Sequence, residues 1–164
     1  MRLPEDNRKL AMTALTHPLK RHHKHCDDLF ADAEAAVAAR NWPVALSLTS
    51  RFANELETHF RTEEETLFPA FESATGMTAG PTQMMRYEHA QMRDLLAQMH
   101  TALEAKDGNA FSGAAETLLI LMQQHNMKEE NILYPMCDQH LLSQSATLGP
   151  VIDKQLDVSC KTPG

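Results

Sequence analysis

The sequence contains one motif twice, and the second copy follows the first after 66 residues. The copies read HFRTEEETLFP at residues 59–69 and HNMKEENILYP at residues 125–135. In each copy a histidine is followed four residues later by a glutamate. Residues at this spacing lie one turn apart on the same side of a helix, with about 6 Å between their Cβ atoms. Each copy therefore predicts an imidazole and a carboxylate whose side chains can both contact the same bound atom.

A shorter match at the same spacing links the earlier parts of the two halves. Asp-Leu-Phe at residues 28–30 returns as Asp-Leu-Leu at residues 94–96, which makes His23 the equivalent of His89. Each half thus offers one histidine on an earlier segment and a His-x-x-x-Glu pair on a later one. Together they supply four imidazoles and two carboxylates, a ligand set for a pair of transition-metal ions. The candidate ligands are His23, His59, Glu63, His89, His125 and Glu129.

The composition favours helices over strands. Only 6 Gly and 8 Pro occur among 164 residues, and aromatic residues make up 5%. Alanine, leucine, methionine, glutamate and glutamine, which favour helix, are frequent. The length suits one domain with a core, and no second composition block is present. We expect an all-α fold.

Breaks in the sequence predict four long helices. The segments 41–43, 75–81 and 107–109 contain Pro, Gly, Asn or Asp and interrupt an otherwise helical pattern. The predicted helices span residues near 18–39, 43–72, 81–106 and 109–140. Short connections between four long helices indicate an up-down-up-down bundle. We place this bundle at residues 1–142 and expect at most a short helix in the C-terminal tail, residues 143–164.

The candidate ligands lie within the apolar stripes of these helices. In the fourth helix the stripe reads Met122, His125, Glu129, Ile132 and Met136. Burial of ionised groups without partners costs several kcal/mol for each group, and two facing carboxylates also repel each other. A bound dication removes both costs. Mutual hydrogen bonding of the histidines and glutamates, without a metal, is the alternative.

The ligand types favour iron. Four nitrogens and two bridging oxygens leave coordination positions open for water, an oxygen species or a small gas, which suits iron better than calcium or magnesium. Zinc is satisfied by fewer ligands and can substitute. Ferritin-like di-iron proteins use Glu-x-x-His pairs, and no such pair lies on an apolar stripe here, so that class is disfavoured.

Several neighbouring residues are alternatives or supporting groups. His23 matches both the repeat spacing and its apolar stripe. His22 and His25 fall on adjacent helix faces and remain alternatives for the same position. Glu64 and Glu130 follow the motif glutamates, and we expect them to support the ligands or to form salt bridges.

These motifs resemble those of the hemerythrin-like, His/His/Glu cation-binding domain family. The resemblance covers about residues 18–140 and rests on the doubled HxxxEE motif, on HKHCDDLF starting at His23 and on YEHAQMRDLL around His89. It implies a hemerythrin-like bundle with two iron ions. By this resemblance His23 and His59 bind one iron ion, His89 and His125 bind the other, and Glu63 and Glu129 bridge them.

The chain departs from the oxygen-storing members of this family. Those proteins have a second histidine one turn after the third-helix ligand, where this chain has Arg93, and an aspartate five residues after the last motif histidine. The implied site has four histidines and an open position on each metal. It resembles the sites of proteins that bind a small gas or peroxide in redox, oxygen or nitric oxide sensing, iron handling or iron-centre repair.

Two other classes of function stay open. One is a di-iron oxidoreductase of the peroxidase or nitric oxide reductase type, although the sequence offers no dedicated proton donor. The other is a zinc-bound or metal-free helical interaction module. We assign no catalytic residue and expect a metal-binding protein rather than a turnover enzyme.

Charge and termini bear on location and partners. A net charge of -7 would repel nucleic acid and anionic lipid, so we expect neither partner. Residues 1–10 lack an apolar signal-peptide core, and no apolar run reaches membrane-spanning length. Cys26, Cys137 and Cys160 lack CxxC spacing, which favours a reducing compartment. A cytoplasmic protein is expected, and the sequence leaves its oligomeric state open.

Overall fold

The structure is a computed structural model that describes residues 14–157, and this range consists of helices and their connections. The helices are α1 (His17–Ala38), α2 (Trp42–Thr62), α3 (Phe68–Thr75), α4 (Pro81–Glu104), α5 (Gly108–Lys128), α6 (Tyr134–His140) and α7 (Ser145–Leu156). Within residues 14–157 there is no strand, so the all-α prediction is confirmed. The predictions for residues 1–10 and for Cys160 lie outside the described residues.

Two short π-helical segments continue the helices that they join. Glu63–Leu67 links α2 to α3, and Glu129–Leu133 links α5 to α6. Two long helical rods result, at 42–75 and 108–140, close to the predicted ranges. The sequence pattern predicted helices over these ranges and gave no sign of the wider turns. The wider turns begin at the two motif glutamates, and such π-helical turns occur frequently at functional sites.

The turns between α1 and α2 and between α4 and α5 have the same construction. Arg40 and Lys106 adopt left-handed backbone conformations, with φ of 56° and 51°. The residues that follow, Asn41 and Asp107, each accept a hydrogen bond on the side chain from the backbone N–H three residues later. This is N-capping, which satisfies an otherwise unpaired N–H group at the start of a helix. The sequence repeat therefore extends to the turns.

The four long helical stretches pack as a ring. α1 contacts α2, α2 contacts α4, α4 contacts α5, and α5 contacts α1. The larger apolar cluster fills one end of this ring and includes Phe30, Phe52, Phe60 and Met99. A second cluster fills the other end. It contains Leu19, Leu67, Phe68, Phe71, Met85, Leu133, Tyr134, Ile152 and Leu156, among others. On every long helix, the candidate ligands come between residues of the two clusters.

The sequence predicted at most a short helix in the tail, and the described tail forms a helix of 12 residues, α7, in addition to the four long helical stretches. α7 spans Ser145–Leu156 and contacts both α1 and α2. Ile152 and Leu156 are buried in the second apolar cluster, and Thr66 donates a hydrogen bond to Gln155 over 3.0 Å. Pro150 lies inside this helix, which explains why the sequence pattern did not favour it. Burial of the apolar side of α7 outweighs this local preference. Among the described helices, none is both long and apolar enough to cross a bilayer.

If α7 is part of the core, Ile152→Ala should destabilise the protein by about 2–5 kcal/mol, as expected for a large-to-small change at a fully buried site. Ile152 is 0% exposed, whereas its neighbour Val151 is 44% exposed and provides the matched control, Val151→Ala. Urea unfolding followed by circular dichroism measures both. Equal, small effects of the two substitutions would mean that α7 does not contribute to the core.

Candidate metal centre

All six predicted ligands lie in the layer between the two apolar clusters, and all are buried. None has more than 6% of its surface exposed: His23, His59, Glu63, His89, His125 and Glu129. Their potential donor atoms form two groups, each with its atoms within 4.8 Å of one another. One group is Glu63, His89, His125 and Glu129, and the other is His23, His59 and Glu129. The chain thus brings the six residues together, while their role as ligands remains a prediction.

Each motif carboxylate lies between two imidazoles that come from different halves of the sequence. Glu63 Oε1 is 3.1 Å from His59 Nε2 and 3.5 Å from His89 Nε2. Glu129 Oε1 is 3.1 Å from His125 Nε2 and 3.2 Å from His23 Nε2. All four histidines therefore direct the same ring nitrogen, Nε2, towards the carboxylates.

The outer ring nitrogens, Nδ1, face a second layer of side chains. His89 Nδ1 lies 3.1 Å from Glu64, and His23 Nδ1 lies 3.6 Å from Glu130. His125 Nδ1 lies 3.6 Å from Glu88. A carboxylate behind the outer nitrogen fixes the ring orientation and the tautomer of a metal-binding histidine. Glu64 and Glu130 hold the supporting positions that the sequence analysis expected.

His59 has a different partner. Its Nδ1 lies 3.0 Å from Nδ1 of His22, whose Nε2 lies 2.9 Å from Glu55. His22 is buried, although the sequence analysis placed it on an adjacent face as an alternative to His23. The repeat carries a signal for this position, because Glu88, the supporting residue of the other half, lies 66 residues after His22. The match between positions 22 and 88 is not visible from the residue types, because one residue is a histidine and the other is a glutamate.

Arg93 and Lys128 neutralise the outer carboxylates on one side of the site. Arg93 donates to Glu64 over 2.7 Å and to Glu57 over 2.9 Å. Lys128 donates to Glu88 over 2.7 Å. Burial raises the pKa of Glu64, but hydrogen bonds from His89 and Arg93 outweigh burial and lower it to about 2. Glu64 is therefore charged behind His89 at neutral pH.

Several inward-facing atoms of the site lie close to a neighbouring imidazole or carboxylate but make no hydrogen bond of acceptable geometry within the described part of the chain. They are Glu63 Oε1, His89 Nε2, His125 Nε2 and Glu129 Oε2. Each is buried, and a buried polar atom without a partner costs about 1–3 kcal/mol. Imidazole nitrogens and carboxylate oxygens together suit a transition-metal cation. The side chains therefore fit a metal, which would satisfy the atoms that the protein leaves without hydrogen bonds.

Without a metal, protons compensate the buried carboxylates. Burial lowers the pKa of His125, but the charge on Glu129 and the close approach of the Glu129 and Glu88 carboxylates raise it to about 10. The pKa values of His23 and His89 are also raised, because neighbouring glutamates outweigh burial. Burial lowers the pKa of His59 to about 3, so this ring is neutral. This distribution of protons is the one expected for mutual His–Glu pairing, the alternative in which the site holds no metal.

Tyr134 is a residue of the site that the sequence analysis did not single out. Its hydroxyl lies 3.2 Å from Glu63 Oε2 and 3.3 Å from Glu129 Oε1. It also lies 3.3 Å from Nε2 of both His23 and His59. A signal was present in the motif, which ends in Tyr134-Pro135 in one copy and in Phe68-Pro69 in the other.

A family model for the hemerythrin HHE cation-binding domain matches residues 14–137, most of the chain. The protein belongs to this family. The match spans α1 to α6 up to Cys137 and includes all six candidate ligands. No curated protein and no solved structure matches closely enough to add to the assignment. The chain is therefore a hemerythrin-like helical domain with a His/Glu cluster that can hold a metal.

The protons on His125, His23 and His89 predict how metal binding depends on pH. Metal must displace these protons, so binding at neutral pH should release protons, and affinity should rise from about pH 6 towards pH 9. The stability that the His125 proton gives the metal-free protein is complete below its ordinary pKa of 6.5 and is lost as the pH rises through about 10. The gain in melting temperature on adding metal should therefore increase with pH.

Calorimetry with zinc in two buffers of different ionisation enthalpy measures the proton release, and thermal melts at three pH values measure the gain. A binding enthalpy that does not depend on the buffer, together with the same gain at every pH, would contradict this assignment of protons.

Proposed function

We propose that this hemerythrin-like domain holds two iron ions in its buried layer and binds a small diatomic gas or peroxide there. The fold that carries the site is an up-down-up-down bundle of the four long helical stretches, with α7 packed against it. The main support is the position of each carboxylate between imidazoles of both pairs. A residue that contacts both His59 and His89, as Glu63 does, is positioned to bridge two ions.

In this proposal His23 and His59 bind one ion, and His89 and His125 bind the other. Glu63 and Glu129 bridge the ions and neutralise part of their charge. Two carboxylates so close together are unfavourable in a buried layer, and two cations between them turn repulsion into attraction. Bridging carboxylates of this kind hold paired metal ions about 3.5–4 Å apart. When bound, the iron pair supplies redox chemistry and open positions for a ligand.

Iron is proposed in preference to zinc because of the number and kind of donors. Each ion would have two imidazole nitrogens and shared carboxylate oxygens, which leaves positions open for an external ligand. Zinc commonly completes a four-coordinate site and then has no open position. Zinc therefore enters as a substitute that occupies the same residues.

The surroundings of His89 are largely aromatic. The ring of Phe60 stacks on the ring of His89 with centroids 4.0 Å apart, and Phe68 lies parallel to it at 6.0 Å. Arg93, which replaces the extra histidine of oxygen-storing relatives, is turned to Glu57 and Glu64 and is not available as a ligand. A site with aromatic walls and one histidine fewer than the oxygen-storing relatives suits oxygen, nitric oxide or peroxide as an external ligand.

The proposed role is sensing of redox conditions, oxygen or nitric oxide, iron handling or repair of iron centres. The net charge of -7 supports a protein without nucleic-acid or membrane partners. We place it in the cytoplasm. A second candidate is a di-iron oxidoreductase of the peroxidase or nitric oxide reductase type. Tyr134 favours this second candidate, since its buried hydroxyl is a proton donor of the kind that such an enzyme needs.

The test of the proposal is metal content. The protein prepared with iron should hold two iron ions per chain, and His59→Ala or His125→Ala should each lose most of the iron. His100→Ala is the control, because His100 is only partly buried and lies outside both groups of potential donors. Elemental analysis and the visible absorption spectrum measure the outcome, and circular dichroism shows that each variant is folded.

A folded, iron-supplied protein with only trace metal would overturn the proposal and favour a metal-free helical module. Two zinc ions with no uptake of iron would favour the zinc-bound module. Turnover of peroxide or nitric oxide by the iron-loaded protein would favour the enzyme over a binding protein.

A further inference from the structure

Tyr134 occupies a central position that the proposed ligand set does not explain. The residue is 2% exposed, and its hydroxyl oxygen lies 3.2–3.3 Å from four polar atoms. These atoms belong to His23, His59, Glu63 and Glu129, which are all candidate ligands.

Hydrogen bonding accounts for only part of this arrangement. A phenol can accept from the ring N–H groups of His23 and His59, but it has one proton and can donate to only one of the two carboxylates at a time. The site nevertheless places four polar atoms at nearly equal distances from the Tyr134 oxygen. Neighbouring ligands around a metal with bonds of about 2.1 Å are separated by about 3 Å when they meet at right angles. The observed distances match the spacing of ligands around a common ion.

The sequence repeat shows that this feature belongs to one half only. The residue equivalent to Tyr134 is Phe68, which has no oxygen. The ring of Phe68 lies against the ring of His89 in the other half, and Arg86 lies over its face at 5.4 Å. The His23/His59 side therefore has an additional donor atom, and the His89/His125 side has an apolar ring in its place.

We propose that Tyr134 is a ligand, through its phenolate oxygen, of the metal ion held by His23 and His59. The second ion, held by His89 and His125, then keeps the open position for an external gas or peroxide. This inference rests on the proposed di-iron function. It adds one ligand to the site and assigns the open position to one of the two ions. The O–H proton of Tyr134 leaves to solvent together with the protons displaced from the histidines, and no electron is transferred.

The spectrum of oxidised, iron-loaded protein tests the assignment. A phenolate bound to ferric iron gives a charge-transfer band in the visible region, and resonance Raman excitation in this band enhances the vibrations of the tyrosine ring. Tyr134→Phe should abolish the band and the ring vibrations. The chain has 2 Tyr, and the other, Tyr87, is 66% exposed, so Tyr87→Phe is the matched control and should keep both signals.

Metal analysis of the same samples separates the two proposals. Protein that holds iron but shows no tyrosine vibrations would overturn the role of Tyr134 and leave the di-iron function standing. Protein that takes up no iron would overturn both. If Tyr134→Phe does not fold, Tyr87→Phe still decides the question, since Tyr134 is then the only tyrosine in the chain. Loss of the signals in Tyr87→Phe would also count against Tyr134.

The double variant Phe68→Tyr with Tyr134→Phe extends the test. It moves the hydroxyl to the equivalent position in the other half of the repeat. Return of the charge-transfer band in this variant would support the view that a tyrosine at this position of the motif binds iron in either half of the repeat. A folded, iron-loaded double variant without the band would show that the surroundings of Tyr134, and not the motif position alone, create the site; the single variants would still decide whether Tyr134 ligates.

Discussion

The contact of each buried carboxylate with imidazoles from both halves of the repeat is the interaction on which the structure depends. Glu63 and Glu129 lie in the middle of the protein at 0% exposure, where an uncompensated charge is very unfavourable. Helices from both halves must meet at this layer, because only together do they bring enough imidazoles to surround the carboxylates. The relative position of the two halves is thus tied to the chemistry of the layer.

The same contacts account for the order of groups outward from the centre. The inner nitrogens face the carboxylates, and the outer nitrogens face a second layer of side chains. Each side chain of the second layer has a partner further out. The pairs are Glu64 with Arg93, Glu88 with Lys128, Glu130 with Lys20, and His22 with Glu55. A layer of this kind fixes the orientation of each imidazole ring. Apolar clusters above and below exclude water and strengthen every electrostatic interaction within the layer. Protons hold the charges in balance when metal is absent.

The sequence predicted the parts of this arrangement that follow from periodicity. Helical spacing and the repeat identified six residues that the fold brings together, and Pro and Gly positions gave the helix ends within a few residues. The π-helical turns and Tyr134 were missed, the tail was expected to hold at most a short helix, and His22 was considered only as an alternative to His23. Each depends on tertiary packing: Pro150 argues locally against α7, and His22 lies next to the stronger candidate His23. A side chain one position from a ligand cannot be assigned to a layer without the actual helix rotation.

The departures from the repeat carry more functional information than the repeat itself. Where both halves agree, the duplicated sequence provides paired candidate ligands and paired supporting residues. Where they differ, the differences fall on the same side of the layer: His22 with Glu55 stands behind His59, and the hydroxyl of Tyr134 faces His23 and His59. The other side has Glu88 with Lys128 behind His125 and the apolar Phe68 beside His89. Two ions in such surroundings would differ in charge balance and in the number of protein donors near each, because the hydroxyl of Tyr134 faces one side and the ring of Phe68 faces the other.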